Sequence, residues 1–163
     1  MINISIIGIG NILYGDDGVG VELINYLRER KSISDDISLI DGDVDTFSIA
    51  NYLIDSKCSI VIDACDFNYE AGSLRKIKVD ISVLEDKDKK VSLHSGSLKD
   101  AINIASFVRD DLDITIYAIQ VEKVYPNIGI SGILYNNFKY YESELIKDTI
   151  EIRRKYEQEN SRC

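Results

Sequence analysis

The chain has 163 residues, 45% of them apolar and 29% charged, with a formal net charge of −9, which suits one domain with a single covered core. That charge argues against nucleic acid or an anionic membrane as partner and leaves a cationic peptide or a metal ion open. No apolar run approaches the ~20 residues a membrane helix needs. The N-terminal region has no basic segment ahead of its apolar residues, so a cytoplasmic protein without membrane insertion is expected.

The first predicted element is a strand, Ile4 to Ile7. It runs into a glycine-punctuated turn, Gly8-Ile9-Gly10-Asn11-Ile12-Leu13-Tyr14-Gly15-Asp16-Asp17-Gly18-Val19-Gly20. A helix follows, with Val19, Leu23, Ile24 and Leu27 on one face and Arg28, Arg30 and Lys31 in its last turn. Either Asp16 or Asp17 could cap that helix. Two adjacent carboxylates also repel unless something positive lies nearby, such as a helix N-terminus or a cation. A dinucleotide fingerprint would need glycine at Leu13, and a P-loop would need Gly-Lys-Ser/Thr; neither is present.

Ile37 to Ile40 reads as a second strand ending at Asp41-Gly42-Asp43, and Thr46 to Ile54 as a helix. Ser59 to Ala64 is a β-branched run, as in a strand covered on both faces, with Asp63 near its end. Cys58 and Cys65 flank it as expected core thiols, and Cys163 ends the chain. An odd cysteine count without a Cys-x-x-Cys pair argues against a disulfide framework or a structural zinc site. Leu74 to Ile81 is a fourth strand, reached through too few residues for a parallel crossover, so it should run antiparallel to the third. A charged loop over 85–90 leads to Ser92-Leu93-His94, just before a helix carrying Leu98, Ala101, Ile102 and Ala105. His94 is the only histidine. Asp113 to Gln120 is a fifth strand; 121–131 is irregular; a long amphipathic helix runs from Asn137 to about Tyr156, and 157–163 reads as a disordered polar tail.

Strands alternating with helices predict an α/β three-layer sandwich: a five-stranded, mostly parallel sheet with one antiparallel strand and helices on both faces. If strands one and three are neighbours with crossovers to opposite faces, a crevice opens at their carboxyl ends. Asp17 and Asp63 would lie there, and the His94 loop could return to the same edge. Two carboxylates and an imidazole suit a borderline divalent ion such as nickel, zinc or cobalt better than magnesium.

Those residues resemble the hydrogenase maturation proteases, endopeptidases acting on nickel-iron hydrogenase large subunits. The likeness starts in the Gly8–Gly20 motif and continues through Val61-Ile62-Asp63-Ala64, Ser92-Leu93-His94 and Tyr125-Pro126-Asn127-Ile128-Gly129-Ile130-Ser131. It implies a twisted five-stranded sheet between helices. It also implies removal of the C-terminal extension of a large-subunit precursor after nickel insertion, a peptidase aspartic-type by family grouping. The implied metal and catalytic set is Asp17, Asp63 and His94, with Asp41 and Asn11 engaging the precursor. The nickel would arrive in the precursor, and another divalent ion could substitute in isolation. Two departures from common family forms stand out: Asp17 where the acid can be Glu, and Gly42-Asp43-Val44 after Asp41 in place of Gly-Gly-Thr. A different-class alternative is a non-catalytic chaperone that checks the precursor for nickel on the same fold. No Ser-His-Asp set and no His-Glu-x-x-His helix supports an acyl-enzyme or an ordinary zinc protease.

Overall fold

The computed structural model describes residues 3–81 and 96–160. The expected 85–90 loop, His94 and Cys163 lie outside the described residues. Five strands form one sheet in the order β2-β1-β3-β5-β4: β1 (Ile4–Ile9), β2 (Ile37–Asp43), β3 (Cys58–Cys65), β4 (Leu74–Lys78) and β5 (Asp113–Gln120). The helices are α1 (Val19–Arg30), α2 (Thr46–Asp55), α3 (Gly96–Val108), α4 (Gly132–Asn136) and α5 (Phe138–Asn160).

The apolar runs of β1 and β3 make them central, because only a strand covered on both faces can bury every side chain. All six residues of β1 and all eight of β3 are buried. Even-numbered residues Ile4, Ile6, Ile60 and Ile62 pack with α1 and α5 through Leu23, Ile24, Leu27, Phe138, Tyr141 and Leu145. Odd-numbered Ile7, Ile9 and Val61 face the other way, onto α2 and α3 through Ile49, Leu53, Leu98, Ile102 and Ala105. This is the period of two expected of a pleated strand between two helical layers. β1 pairs in parallel with both β2 and β3, and β3 in parallel with β5. With α1 and α2 on opposite faces, the carboxyl ends of β1 and β3 flank the point where the chain changes sides.

β4 is antiparallel, as its short connection requires, but its neighbour is β5 rather than β3. It also ends at Lys78 instead of Ile81, and the Val79 N–H extends the pairing to the Ile114 carbonyl at 2.9 Å. α5 extends to Asn160, beyond the Tyr156 at which the apolar stripe stops. The Tyr156 hydroxyl donates to Asp113 Oδ2 at 3.0 Å, tying the last turns of α5 to the start of β5. The extra turn is therefore a continuation of an anchored helix where its sequence suggested a tail. α4 is a short helix that the sequence pattern did not reveal. Among the described residues no helix is long and apolar enough to cross a membrane.

Candidate active site at the carboxyl edge of the sheet

Backbone geometry in the first loop depends on close approach. An added Cβ at Gly8 would sit 2.1 Å from the Gly20 carbonyl oxygen, and one at Gly20 would sit 2.4 Å from the Ile62 oxygen. The N-terminus of α1 thus lies directly on β1 and β3, which side chains at either position would prevent. Gly10, at φ +131°, forms the bend at which the chain leaves β1. Residues Gly15–Gly18 then form a single 3-10 turn that carries both aspartates.

Neither aspartate caps α1. Its N-cap is Gly18, with no side-chain cap. Asp16 is 1% exposed. Its Oδ2 accepts the backbone N–H groups of Glu122 (2.8 Å) and Lys123 (3.0 Å), and its Oδ1 accepts that of Ser131 (2.6 Å). Three charge-assisted hydrogen bonds account for a carboxylate buried there. Asp16 is therefore a clamp on the 121–131 segment, a role no local pattern signals. The clamp is reinforced by backbone: Asn127 N–H donates to the Leu13 carbonyl at 3.0 Å and Gly15 N–H to the Asn127 carbonyl at 2.8 Å. Gln120 does a similar job from the end of β5. Its Oε1 accepts from Phe67 N–H (2.9 Å) and Tyr69 N–H (3.2 Å), while its Nε2 donates to Asp66 Oδ1 (3.0 Å). A glutamine closing an apolar strand was the available signal for it.

Asp17, by contrast, is only partly buried. Its Oδ2 accepts the Asn11 N–H at 2.9 Å, which fixes the carboxylate's orientation. The Asn11 side chain in turn accepts from Leu13 N–H at 2.9 Å, shaping the turn that presents Asp17. Asp17 lines an open cavity of about 380 Å³ together with Ala64, Cys65, Asp66, Glu122 and Val124. Asp63 is 2% exposed, one residue beyond Ile62, whose register partner in β1 is Gly8. Its position in β3 lies between Val61 and Cys65, both on the α2/α3 side of the sheet. Asp17 and Asp63 are thus brought to the same end of neighbouring strands. Asp41 is exposed near the end of β2, beside Gly8 in register, and its Oδ1 accepts the Asp43 N–H at 3.0 Å. His94 lies outside the described residues, and among those described no group of three His, Cys, Asp or Glu is arranged to hold a metal.

Cys58 and Cys65 are both buried, as expected. Cys58 stands at the opposite end of β3, where burial, followed by the Asp113 carboxylate, pushes its thiol up to about 12. Such a thiol is a poor nucleophile and a packing residue.

Comparison with known proteins gives these features a family context. A sequence model described as hydrogenase maturation protease matches residues 21–146. Asp41, Asp63 and His94 fall inside that match, and Asn11 and Asp17 just before it. The hydrogenase expression/formation protein HupM of Azotobacter chroococcum mcd 1 is 33% identical over 105 residues, which is 64% of this chain and 50% of that protein. The chain spans about half the length of the curated relatives it matches. Among solved structures, the hydrogenase maturating endopeptidase HybD from Escherichia coli superposes with a TM-score of 0.74 at 20% identity, covering 91% of this chain and 93% of that one. The hydrogenase maturation protease HycI from Thermococcus kodakarensis KOD1 gives 0.69 at 21% identity over 89% and 90%. At such identities the superpositions establish the fold: the mixed five-stranded sheet between helices.

Proposed function

This chain belongs to the hydrogenase maturation protease family, and from that premise we propose that it is an endopeptidase removing the C-terminal extension of a nickel-iron hydrogenase large-subunit precursor. The observation that carries the reading is the placement of Asp17 and Asp63 at the carboxyl ends of adjacent parallel strands, with Asp17 held by Asn11 in the wall of an open cavity. In a doubly wound sheet this is where ligands bind.

The nickel belongs to the substrate. The precursor holds it, and Asp17, Asp63 and His94 supply two oxygen donors and one nitrogen donor, a set that suits nickel. Engaging the precursor's metal would orient the scissile bond against the protease, and such orientation can supply much of the rate gain. Cleavage consumes one water: its oxygen joins the peptide carbonyl carbon, the C–N bond breaks, and the leaving nitrogen takes a proton. A carboxylate, Asp17 or Asp63, would accept a proton from that water as general base. Asp41, exposed on the neighbouring strand end, and Asn11 would contact the precursor on the way in.

The test pairs processing with stability. Asp17→Asn, Asp63→Asn and His94→Ala are each incubated with nickel-loaded precursor, and fold is checked by thermal melting. Folded variants that bind precursor but leave its extension in place are the expected outcome. Undiminished processing by all three would remove these residues from the mechanism. A wild-type chain that binds the precursor and never cuts it would favour a nickel-checking chaperone on this fold.

A further inference from the structure

Two loops beside the Asp17 cavity display large apolar side chains to solvent. Ile12, Leu13 and Tyr14 on the first loop and Val124, Tyr125 and Ile128 on the second are 43% to 80% exposed. The loops are joined as a unit: Tyr14 and Asn127 form a parallel bridge. The buried Asp16 carboxylate anchors the second loop to the base of the first. Held in this way, the apolar groups cannot fold inward, and a fixed exposed apolar patch marks an interaction surface.

The surroundings identify what covers it. Val124 belongs both to this platform and to the wall of the cavity containing Asp17, so a molecule seated on the platform continues into that cavity. The loops at this edge carry Asp41, Asp43, Asp66 and Glu122 among their carboxylates, against Lys123 as the one basic residue in segments 11–17, 41–45, 66–73 and 121–131. The partner must therefore offer apolar side chains next to positive charge. A second copy of this chain, itself at net charge −9, is a poor electrostatic match.

We propose that the joined 12–14 and 124–128 loops are the docking platform for the substrate polypeptide, which lies across them through apolar side chains flanked by basic ones and feeds its scissile segment into the Asp17 cavity. The inference rests on the protease reading and deepens it, making Asp16 a positioning residue for the platform.

The experiment uses the full chain and unprocessed, nickel-loaded large-subunit precursor from the same organism. Binding is measured by calorimetry and cleavage by intact mass, for the wild type, Leu13→Ser/Ile128→Ser, and Phe107→Ser. Phe107 is 91% exposed on α3, close to the loop that enters β5, and serves as a distant apolar control. The platform variant should melt like the wild type, bind precursor about tenfold or more weakly, and raise KM with kcat within about twofold, as loss of uniform binding requires. The control should match the wild type. Unchanged binding and KM in the platform variant would overturn the inference while leaving the protease reading intact. Tight precursor binding lost in the platform variant, with no cleavage by the wild type, would support the platform and overturn the protease reading. If sedimentation shows a wild-type dimer that the platform variant abolishes without change in KM, the surface is a self-association face and the inference fails.

Discussion

Asp16 and Asp17 are adjacent and chemically identical, yet they do opposite work. Asp16 is buried and spends both oxygens on three backbone donors that lie 106 to 115 positions further along the chain. Replacing it with alanine leaves those donors unpaired, and a loss of about 3 kcal/mol or more is expected in urea unfolding. Among the described residues the Asp17 side chain accepts one hydrogen bond, from Asn11 N–H, which an asparagine oxygen can also accept. Asp17→Asn should thus stay within about 1 kcal/mol of the wild type by the same measurement, since the amide oxygen keeps the hydrogen bond to Asn11 N–H and the partly exposed site leaves no buried donor unpaired. The contrast tells a structural carboxylate from the one proposed to meet the ligand, and equal destabilisation by both would erase it. Cys58 offers a third check. With its thiol raised to about 12 by burial and then by Asp113, it should resist iodoacetamide at pH 8 until the chain unfolds, as peptide mass mapping would show.

Among the elements, α1 bears most directly on the site because its first turn rests on bare backbone at Gly8 and Gly20. Gly20→Ala forces a methyl group to within 2.5 Å of backbone atoms in both β1 and β3. A stability loss of about 3 kcal/mol is expected from such overpacking, with α1 displaced and Asp17 misplaced with it. How far the elements were legible follows from what drives each one. β3 and β5 stand out as runs of β-branched and apolar residues because burial on both faces leaves no other composition. α1 and α5 declare themselves by a 3–4 stripe, although the end of α5 does not, since polar residues there are held by Tyr156 reaching Asp113. α4 has five residues, too few to show a period. That β4 pairs with β5 depends on strand order, which local pattern does not encode. The same division holds at the site. Asp17, Asp63, Asp41 and Asn11 could be singled out from motif and strand ends and Gln120 from its place closing an apolar strand, while Asp16 acts through long-range backbone contacts that no spacing announces.

For the molecule as a whole, the far edge of the sheet makes a prediction about acid. Burial would raise the Asp113 carboxyl, but the Lys78 ammonium outweighs it, with the Tyr156 hydroxyl and Lys155 adding to the effect, so the net shift is below the ordinary 3.8. Asp45, which caps α2 by accepting the Ser48 N–H at 2.8 Å, is also held below 3.8 by its side-chain and backbone bonds to Ser48. A carboxyl with a depressed folded value binds fewer protons folded than unfolded, so its contribution is complete above 3.8 and disappears as pH falls through the folded value. Melting temperatures should therefore hold steady above about pH 5 and fall below about pH 4, and Asp113→Asn should flatten that fall. The opposite edge, acidic and apolar, is where the proposed activity resides. In the proposed reaction the precursor's own nickel licenses the cut. The most direct measurement is the intact mass of one large-subunit precursor, nickel-loaded and nickel-free in parallel, over a time course with this protein. Loss of a single C-terminal fragment from the nickel-loaded form alone is the predicted result, and equal trimming of both forms would contradict it.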